Sequence, residues 1–191
     1  MKQRIFSALL CALLLLSLSG CGKTVRSDYP SLPDLGALSF SPTLFYANNG
    51  VFSFAYDADK DEIEWREDSY EVVAAEKKEG YYSLAISYEQ GTRDLDAAEK
   101  DLRQQINDGR FVRIGETEPA AVCGAVECRV ILCNTEDGSA SHIRFGNTES
   151  GYFELFDVIS VNADDGQAAH LQELLSTVSF LPIEAKNAPE K

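Results

Sequence analysis

Three cysteines and one histidine in the second half of the chain are the residues whose types and spacing could do chemistry. Asp137-Gly138 is typical of a two-residue hairpin turn, and a turn at that point would pair Cys133 directly with His142. Imidazole and guanidinium groups beside a thiol lower its pKa and favour the nucleophilic thiolate. The pattern therefore predicts a reactive thiol at Cys133 with His142 as its partner, although an ordinary polar strand face would carry the same residues.

The same cysteines limit which disulfides can form. Cys11 and Cys21 lie near the N-terminus, which leaves Cys123, Cys128 and Cys133 for the folded part of the chain. If residues 128–133 form one strand, its two cysteine Cα atoms lie about 16 Å apart, well beyond the ~7 Å that a disulfide spans. A disulfide would therefore join Cys123 to either Cys128 or Cys133. Zinc held by these three cysteines and His142 is a weaker alternative, because their spacing matches no usual pair of zinc ligands.

An acidic window earlier in the chain has the spacing of a calcium-binding loop. Carboxylates stand at positions 1, 3, 5 and 12 of a twelve-residue window, namely at Asp57, Asp59, Asp61 and Asp68. Glu62 takes the place of the glycine that such loops need at position 6. The window is therefore interpreted as a solvated acidic loop between two strands, with calcium binding as the alternative.

The overall charge excludes one class of partner. The 191 residues include 31 Asp and Glu against 17 Lys and Arg, so the formal net charge is -14 at pH 7. Such a chain repels a phosphate backbone, and nucleic acid is not expected to bind it. The sequence also lacks the motifs of serine hydrolases, zinc proteases and dinucleotide-binding proteins, so we expect neither a cofactor nor an enzyme.

The N-terminus has the features of a secretory signal peptide. Lys2 and Arg4 precede an apolar run over residues 5–18, which as a helix spans only about 21 Å and falls short of the ~30 Å hydrocarbon core. The run ends in Leu18-Ser19-Gly20-Cys21, which resembles the lipobox of bacterial lipoproteins. That resemblance implies removal of residues 1–20 and attachment of diacylglycerol and palmitate to Cys21, which would anchor the protein on the extracytoplasmic face of the cell membrane.

The rest of the chain predicts one domain with a tether before it and a tail after it. Residues 21–49 contain scattered prolines and no sustained period, which is typical of a flexible tether, although 35–45 is apolar enough to dock in part. Residues 50–182 predict the folded domain, and 183–191 a disordered tail. Strands are expected at 51–57, 70–77, 80–89, 111–116, 128–134, 139–145 and 152–161, and helices at 94–109 and 164–177.

This order of elements predicts an α+β fold, a largely antiparallel sheet of about six or seven strands with two main helices packed on it. The first helix is expected to turn inward Leu95, Ala98, Leu102 and Ile106. The second leaves His170 facing solvent and is expected to turn inward Ala168, Leu171, Leu174, Leu175 and Val178. Helices are also expected to cover the aromatic rings that occur on both faces of two strands, at Tyr81, Tyr82, Tyr88, Tyr152, Phe153 and Phe156.

Four short segments carry a family resemblance: Phe52-Ser53-Phe54-Ala55-Tyr56, Trp65, Gly124-Ala125 and Ser179-Phe180. Together they resemble the PsbP-like family, which groups the extrinsic photosystem subunit with small secreted or lipid-anchored bacterial proteins. The resemblance covers about residues 49–181 and implies an antiparallel sheet between helices and a role in binding or assembly, with no catalytic residues.

The lipobox and the family resemblance lead to one expected function and two alternatives. We expect a membrane-anchored, extracytoplasmic lipoprotein that acts as a non-catalytic binding or assembly module and has a protein partner in the cell envelope. The first alternative is a small thiol-dependent enzyme or redox protein that uses Cys133 and His142. The second is a lipoprotein that binds a solute or calcium.

Overall fold

A computed structural model of the chain describes residues 34–47, 51–66, 69–74, 80–107 and 111–180. Within these residues the α-helices are α1 (Leu95–Asn107) and α2 (Asp165–Thr177). The strands are β1 (Thr43–Tyr46), β2 (Ser53–Tyr56), β3 (Asp61–Arg66), β4 (Ser69–Ala74), β5 (Tyr82–Gln90), β6 (Phe111–Ala120), β7 (Glu127–Thr135), β8 (Ala140–Asn147) and β9 (Gly151–Ile159). No helix in the described ranges is long and apolar enough to cross a membrane.

Seven of these strands form one antiparallel sheet in the order β3-β4-β5-β9-β8-β7-β6, and β1 pairs with β2 in a separate hairpin. Strand β9 lies at the centre of the sheet, between β5 and β8, which explains why its sequence is apolar on both faces. The predicted α+β class is therefore confirmed, with its largely antiparallel sheet and two main helices.

The two helices cover opposite faces of the sheet, and each covers a different half of it. On the face that we call the α2 face, α2 and the β1–β2 hairpin help to bury a core that includes Phe54, Leu84, Ile86, Phe153, Leu155, Leu171 and Leu174. On the opposite face, the α1 face, α1 packs over β6, β7 and β8 through the predicted side chains Leu95, Ala98, Leu102 and Ile106. Burial of these apolar side chains is the main driving force for folding.

The aromatic residues of β5 and β9 pack into the cores on the two faces of the sheet. Tyr82 and Phe153 are buried on the α2 face, and Tyr152 is buried on the α1 face. The prediction that these rings are covered is confirmed for them and for the partly buried Phe156, whereas Tyr81 is 44% exposed.

The predicted tether is wrong for residues 34–47, which belong to the fold. Ser39 donates its backbone N–H and its hydroxyl to the Glu173 carboxylate of α2, at 3.0 and 2.7 Å. The Phe40 ring lies edge-on to His170 at 4.9 Å, and β1 pairs with β2. The domain therefore begins by residue 34 rather than at 50, because apolar side chains such as that of Phe40 belong to the core of the α2 face. The earlier part of the predicted tether and the predicted tail lie outside the described residues.

The acidic window after β2 is not the predicted loop, because half of it is strand. Residues 57–60 form a turn, and Asp61–Arg66 form β3, which pairs with β4. Ile63 packs on the core of the α2 face, and alternation places Glu62 and Glu64 on the opposite face. Because this segment is rich in acidic residues, its composition is typical of a loop, and the alternation that marks a strand is easily overlooked.

Helix α2 begins as predicted and buries most of the predicted stripe, including Leu171, Leu174 and the following Val178. Asp164 caps it, and Gln167 completes a capping box with the Asp164 backbone. The buried residues are His170, Leu171, Leu174 and Thr177, whereas Ala168 is exposed. The solvent-facing position predicted for His170 is therefore wrong, because its ring is buried and hydrogen-bonds to the Asp61 carboxylate inside the fold.

Candidate functional site

Three residues, 136–138, lie within the last backbone pair of the β7–β8 turn, Thr135 with Ser139, where two were predicted. The Thr135 N–H donates to Ser139 O at 3.0 Å, which closes the loop one residue earlier than expected. The Asp137 carboxylate accepts hydrogen bonds from the Thr135 hydroxyl and the Ser139 N–H, and Gly138 has a φ of +87° that favours glycine. The register of the whole β7–β8 pair is therefore shifted by one residue.

This shift separates the predicted thiol–imidazole pair. Cys133 pairs with Ser141, and its side chain is fully buried beneath α1. His142 pairs with Leu132 and lies on the opposite, α2 face, since a shift of one residue reverses the side to which a strand residue points. Burial raises the pKa of the Cys133 thiol, whereas a reactive thiolate needs a lowered one. The predicted pairing of Cys133 with His142 is therefore wrong.

The other two cysteines of the described residues are also buried. Burial raises the pKa of the Cys128 thiol to about 12. The Cys123 sulfur accepts a hydrogen bond from the Ser179 hydroxyl at 3.4 Å. Neither expected disulfide of Cys123 is formed, and the described ranges contain no group of three or more His, Cys, Asp or Glu side chains placed to hold a metal ion.

The partner of His142 is a buried carboxylate on the central strand. Asp157 of β9 lies opposite His142 of β8, and His142 Nδ1–H donates to Asp157 Oδ2 at 2.9 Å. Arg144, two residues further along β8, forms an ion pair with the other oxygen of Asp157. The Asp157 side chain is only 1% exposed, against 30% for His142 and 19% for Arg144. A buried carboxylate requires such partners, and here they fix the imidazole and the guanidinium in place.

The His142 and Arg144 side chains lie on a part of the α2 face that α2 does not cover. Strand β7 adds Leu132 and Val130 beside them, paired with His142 and Arg144 respectively, and the Leu132 side chain is 47% exposed. We call these four residues the open patch. It combines an apolar strip with two polar groups that cannot reorient freely, which suits the binding of a complementary surface.

Sequence analysis predicted His142 with guanidinium groups, Arg144 among them, on the same strand face, but missed Asp157 as their shared partner. A lone acidic residue in an apolar central strand signals a cationic partner on an adjacent strand, because an unpaired buried charge is strongly destabilising. Asp157 is the buried acidic residue of β9, and its neighbours on β8 depend on the β8–β9 register, which could not be predicted from the sequence.

A second buried carboxylate, Asp61 of β3, is closed off from solvent. It accepts hydrogen bonds from the Tyr82 hydroxyl at 2.5 Å, from His170 Nε2 at 3.0 and 3.1 Å, and from the Asp57 backbone N–H at 2.8 Å. Burial, and then the hydrogen bond to Asp61, raise the pKa of Tyr82. The Phe40 ring covers His170 from the far side, so this group joins α2 to the sheet and offers no open site.

The predicted calcium loop is not formed by the described carboxylates. Asp57 accepts a hydrogen bond from the Asp59 N–H at 3.1 Å and pairs with Lys60 at 3.2 Å. Asp61 points away from them toward its own partners inside the fold. Asp57, Asp59 and Asp61 therefore do not converge on a common site. The fourth proposed ligand, Asp68, lies outside the described residues, and so does the proposed lipidation site, Cys21.

Another polar cluster lies beside a groove of about 310 Å³ between α1, β6 and β7, which Glu99, Thr117 and Arg129 help to line. Arg103 of α1 donates to the Glu99 carboxylate at 2.9 Å and to the Thr117 hydroxyl at 2.7 Å. Arg129 of β7 reaches back to α1 and pairs with Asp96 at 2.7 Å. The Thr117 hydroxyl and then Arg103 hold the pKa of Glu99 below its usual value. These charges satisfy one another, so the cluster attaches α1 to the sheet.

Comparisons with known proteins place the chain near two solved structures. No family model and no curated protein matches it. The Ran-binding protein Mog1p of Saccharomyces cerevisiae is similar over 74% of this chain and 96% of its own, with 7% identity and a TM-score of 0.48. A protein from Bacteroides thetaiotaomicron is similar over 75% of this chain, with 20% identity and a TM-score of 0.44, and this chain spans about half of it (49%). With both TM-scores below 0.5, the fold description rests on the strand order and register of the chain itself.

Proposed function

We propose that the chain is a lipid-anchored, extracytoplasmic binding module, without catalytic chemistry of its own, that presents the open patch to a protein partner in the cell envelope. The observation that carries the proposal is the open patch itself. Its apolar strip is exposed at Leu132, and the buried Asp157 holds the adjoining His142 and Arg144 in fixed positions. Exposed apolar surface framed by fixed polar groups is typical of protein interfaces.

The arrangement of the thiols supports binding rather than catalysis. An imidazole oriented by a carboxylate acts as a general base when a nucleophile lies within hydrogen-bond reach of its other nitrogen. Cys133 lies on the far face of the sheet beneath α1 and is fully buried. The thiol that sequence analysis assigned to this imidazole is therefore unable to reach it.

The anchor is proposed from the sequence and from the charge of the chain. Cleavage before Cys21 removes Lys2 and Arg4 and no acidic residue, so the mature protein is more acidic than the full chain with its net charge of -14. Such a protein is repelled by anionic headgroups, and acyl chains on Cys21 would supply the attraction that a basic surface supplies elsewhere.

Labelling of growing cells with a clickable fatty acid tests the anchor. We expect the native chain to be labelled and to fractionate with membranes, and the Cys21→Ala variant to lose the label. An unlabelled native chain in the soluble cytosolic fraction, still carrying Met1, overturns this part of the proposal.

Photo-crosslinking in cells tests the patch. A photoreactive residue at Leu132 is expected to give a discrete adduct, whereas one at Gln105, which is exposed on α1, is not. The adduct should also weaken when Arg144→Ala is combined with the probe at Leu132. Equal adducts at both positions, or none at Leu132, would argue against the open patch as the binding surface.

A further inference from the structure

We infer that the outer edge of β3 is a second docking site, which takes an extended peptide segment with alternating basic and apolar residues as an added strand. The edge lies at the end of the sheet opposite to β6, and among the described residues no strand pairs with it. An exposed edge of this kind offers main-chain hydrogen bonds to an incoming strand.

The backbone of β3 shows which groups face the incoming strand. The Asp61 N–H donates to Asp57 O at 2.8 Å in the preceding turn and not to β4. Hydrogen-bonding direction alternates along a strand, so Ile63 and Trp65 also direct their N–H and C=O groups outward. These four groups are the ones that would pair with a partner strand, while Glu62 and Glu64 pair with β4.

The side chains of β3 define the partner. Trp65 is 60% exposed, and its ring makes a T-shaped contact with Tyr70 with the ring centroids 4.4 Å apart, so much of the indole is accessible at the end of the sheet. On the opposite face Glu62 and Glu64 are both exposed. A partner strand therefore meets apolar surface opposite Ile63 and Trp65 and negative charge opposite Glu62 and Glu64, which selects apolar and basic residues in alternation.

The other edge of the sheet and a second copy of the chain fit less well. Strand β6 has two register shifts against β7, and Pro119 removes one of its N–H donors. Two antiparallel copies of β3 centred on Ile63 would place Glu62 of each copy opposite Glu64 of the other, and like charges in that position are destabilising. Like-charge repulsion therefore disfavours that self-pairing, whereas a basic strand meets no such repulsion at Glu62 and Glu64.

The experiment uses the purified full-length chain in detergent and a short peptide of sequence Thr-Val-Lys-Val-Lys-Thr. Paired antiparallel to β3, its valines lie opposite Trp65 and Ile63 and its lysines opposite Glu64 and Glu62. Trp65 is the only tryptophan of the chain, so its fluorescence reports on the edge directly. We expect saturable binding with a blue-shifted emission, because the added strand covers the indole. No spectral change and no binding by calorimetry at millimolar peptide would overturn the proposal.

Backbone methylation of the peptide separates strand addition from simple charge attraction. In the added strand the valines face Ile63 and Trp65 and direct their N–H groups at β3, whereas the lysines direct theirs away. N-methylation of both valines should abolish binding, and N-methylation of both lysines should preserve it. Equal binding of the two methylated peptides would show that only charge is involved, and would overturn the proposal.

A charge reversal tests whether the acidic side chains of β3 select a basic partner strand. The double variant Glu62→Lys and Glu64→Lys should weaken binding of the basic peptide by about tenfold or more and improve binding of its glutamate counterpart. The matched variant Glu116→Lys and Glu118→Lys changes two exposed residues on β6 and should leave binding unchanged. If both double variants weaken the peptide equally, the attraction belongs to the overall charge of the chain and not to this edge.

Discussion

Asp157 and Asp61 are buried carboxylates, and each is stabilised in a different way. Asp157 is matched by the positive charge of Arg144 and by His142, both of which remain partly in contact with solvent. Asp61 is matched mainly by the Tyr82 hydroxyl, the His170 ring and a backbone N–H, all inside the fold. The first arrangement keeps polar groups at the surface for recognition, and the second attaches an element to the core.

Asp157→Asn should lower the free energy of unfolding by about 2 kcal/mol. The substitution leaves the Arg144 guanidinium without its buried counterion, and its partial exposure keeps the loss below that of a fully buried pair. Urea unfolding followed by circular dichroism at pH 7 measures the change. Asp96→Asn is the matched control, because that side chain is 86% exposed in its pair with Arg129 and should lose less than about 1 kcal/mol. Equal losses would contradict the special position of Asp157.

At the scale of elements, α1 is attached to the sheet by its apolar stripe and by the cluster around Glu99. Glu99→Gln should be less stable than the native chain near pH 7, since the Thr117 hydroxyl and Arg103 favour the charged carboxylate. The pKa of Glu99 lies below its usual 4.5, so this contribution is complete above that value and is lost as the pH falls through the lowered pKa. The difference in unfolding free energy between variant and native chain should therefore shrink toward about pH 3.

Urea unfolding of both proteins at the two pH values measures this difference. Asp101→Asn, an exposed substitution on the same helix, controls for a general change in charge and should show no comparable pH dependence. A deficit of Glu99→Gln that stays constant from neutral to acidic pH would contradict the assigned role of the carboxylate.

Elements with an uninterrupted apolar period could be predicted from the sequence, and those that mix the period with charge could not. The α1 stripe from Leu95 to Ile106 has a regular spacing and is buried as predicted. Strand β3 was missed because its acidic residues dominate its composition. The open patch could not be predicted, because it depends on a register that Asp137 and its hydrogen bonds set within the turn. One residue of β7–β8 register decides whether Cys133 or Leu132 lies opposite His142.

At the scale of the whole molecule, the two proposed surfaces lie apart on one sheet. Strand β3 is the first strand in the sheet order and β8, which carries His142 and Arg144, is the fifth. Four steps of about 4.8 Å separate them by roughly 19 Å across the sheet. A strand added at the β3 edge therefore leaves the open patch accessible, and one molecule has room for two partners at once, as an assembly role requires.

The boundary of the domain leads to the last prediction, on how much of the chain the fold needs. A truncated chain that begins at Val51 loses β1, the Phe40 ring against His170 and the hydrogen bonds between Ser39 and Glu173. It should be less stable than a chain that begins at Asp34 by about 3 kcal/mol or more, because burial of one aromatic ring alone contributes about 1.5–3 kcal/mol. Urea unfolding of the two truncated chains measures the difference. Equal midpoints would mean that residues 34–47 contribute nothing to stability, and a tether up to residue 49 would then be the better description. A large loss of stability would instead place the start of the fold close in sequence to the proposed anchor.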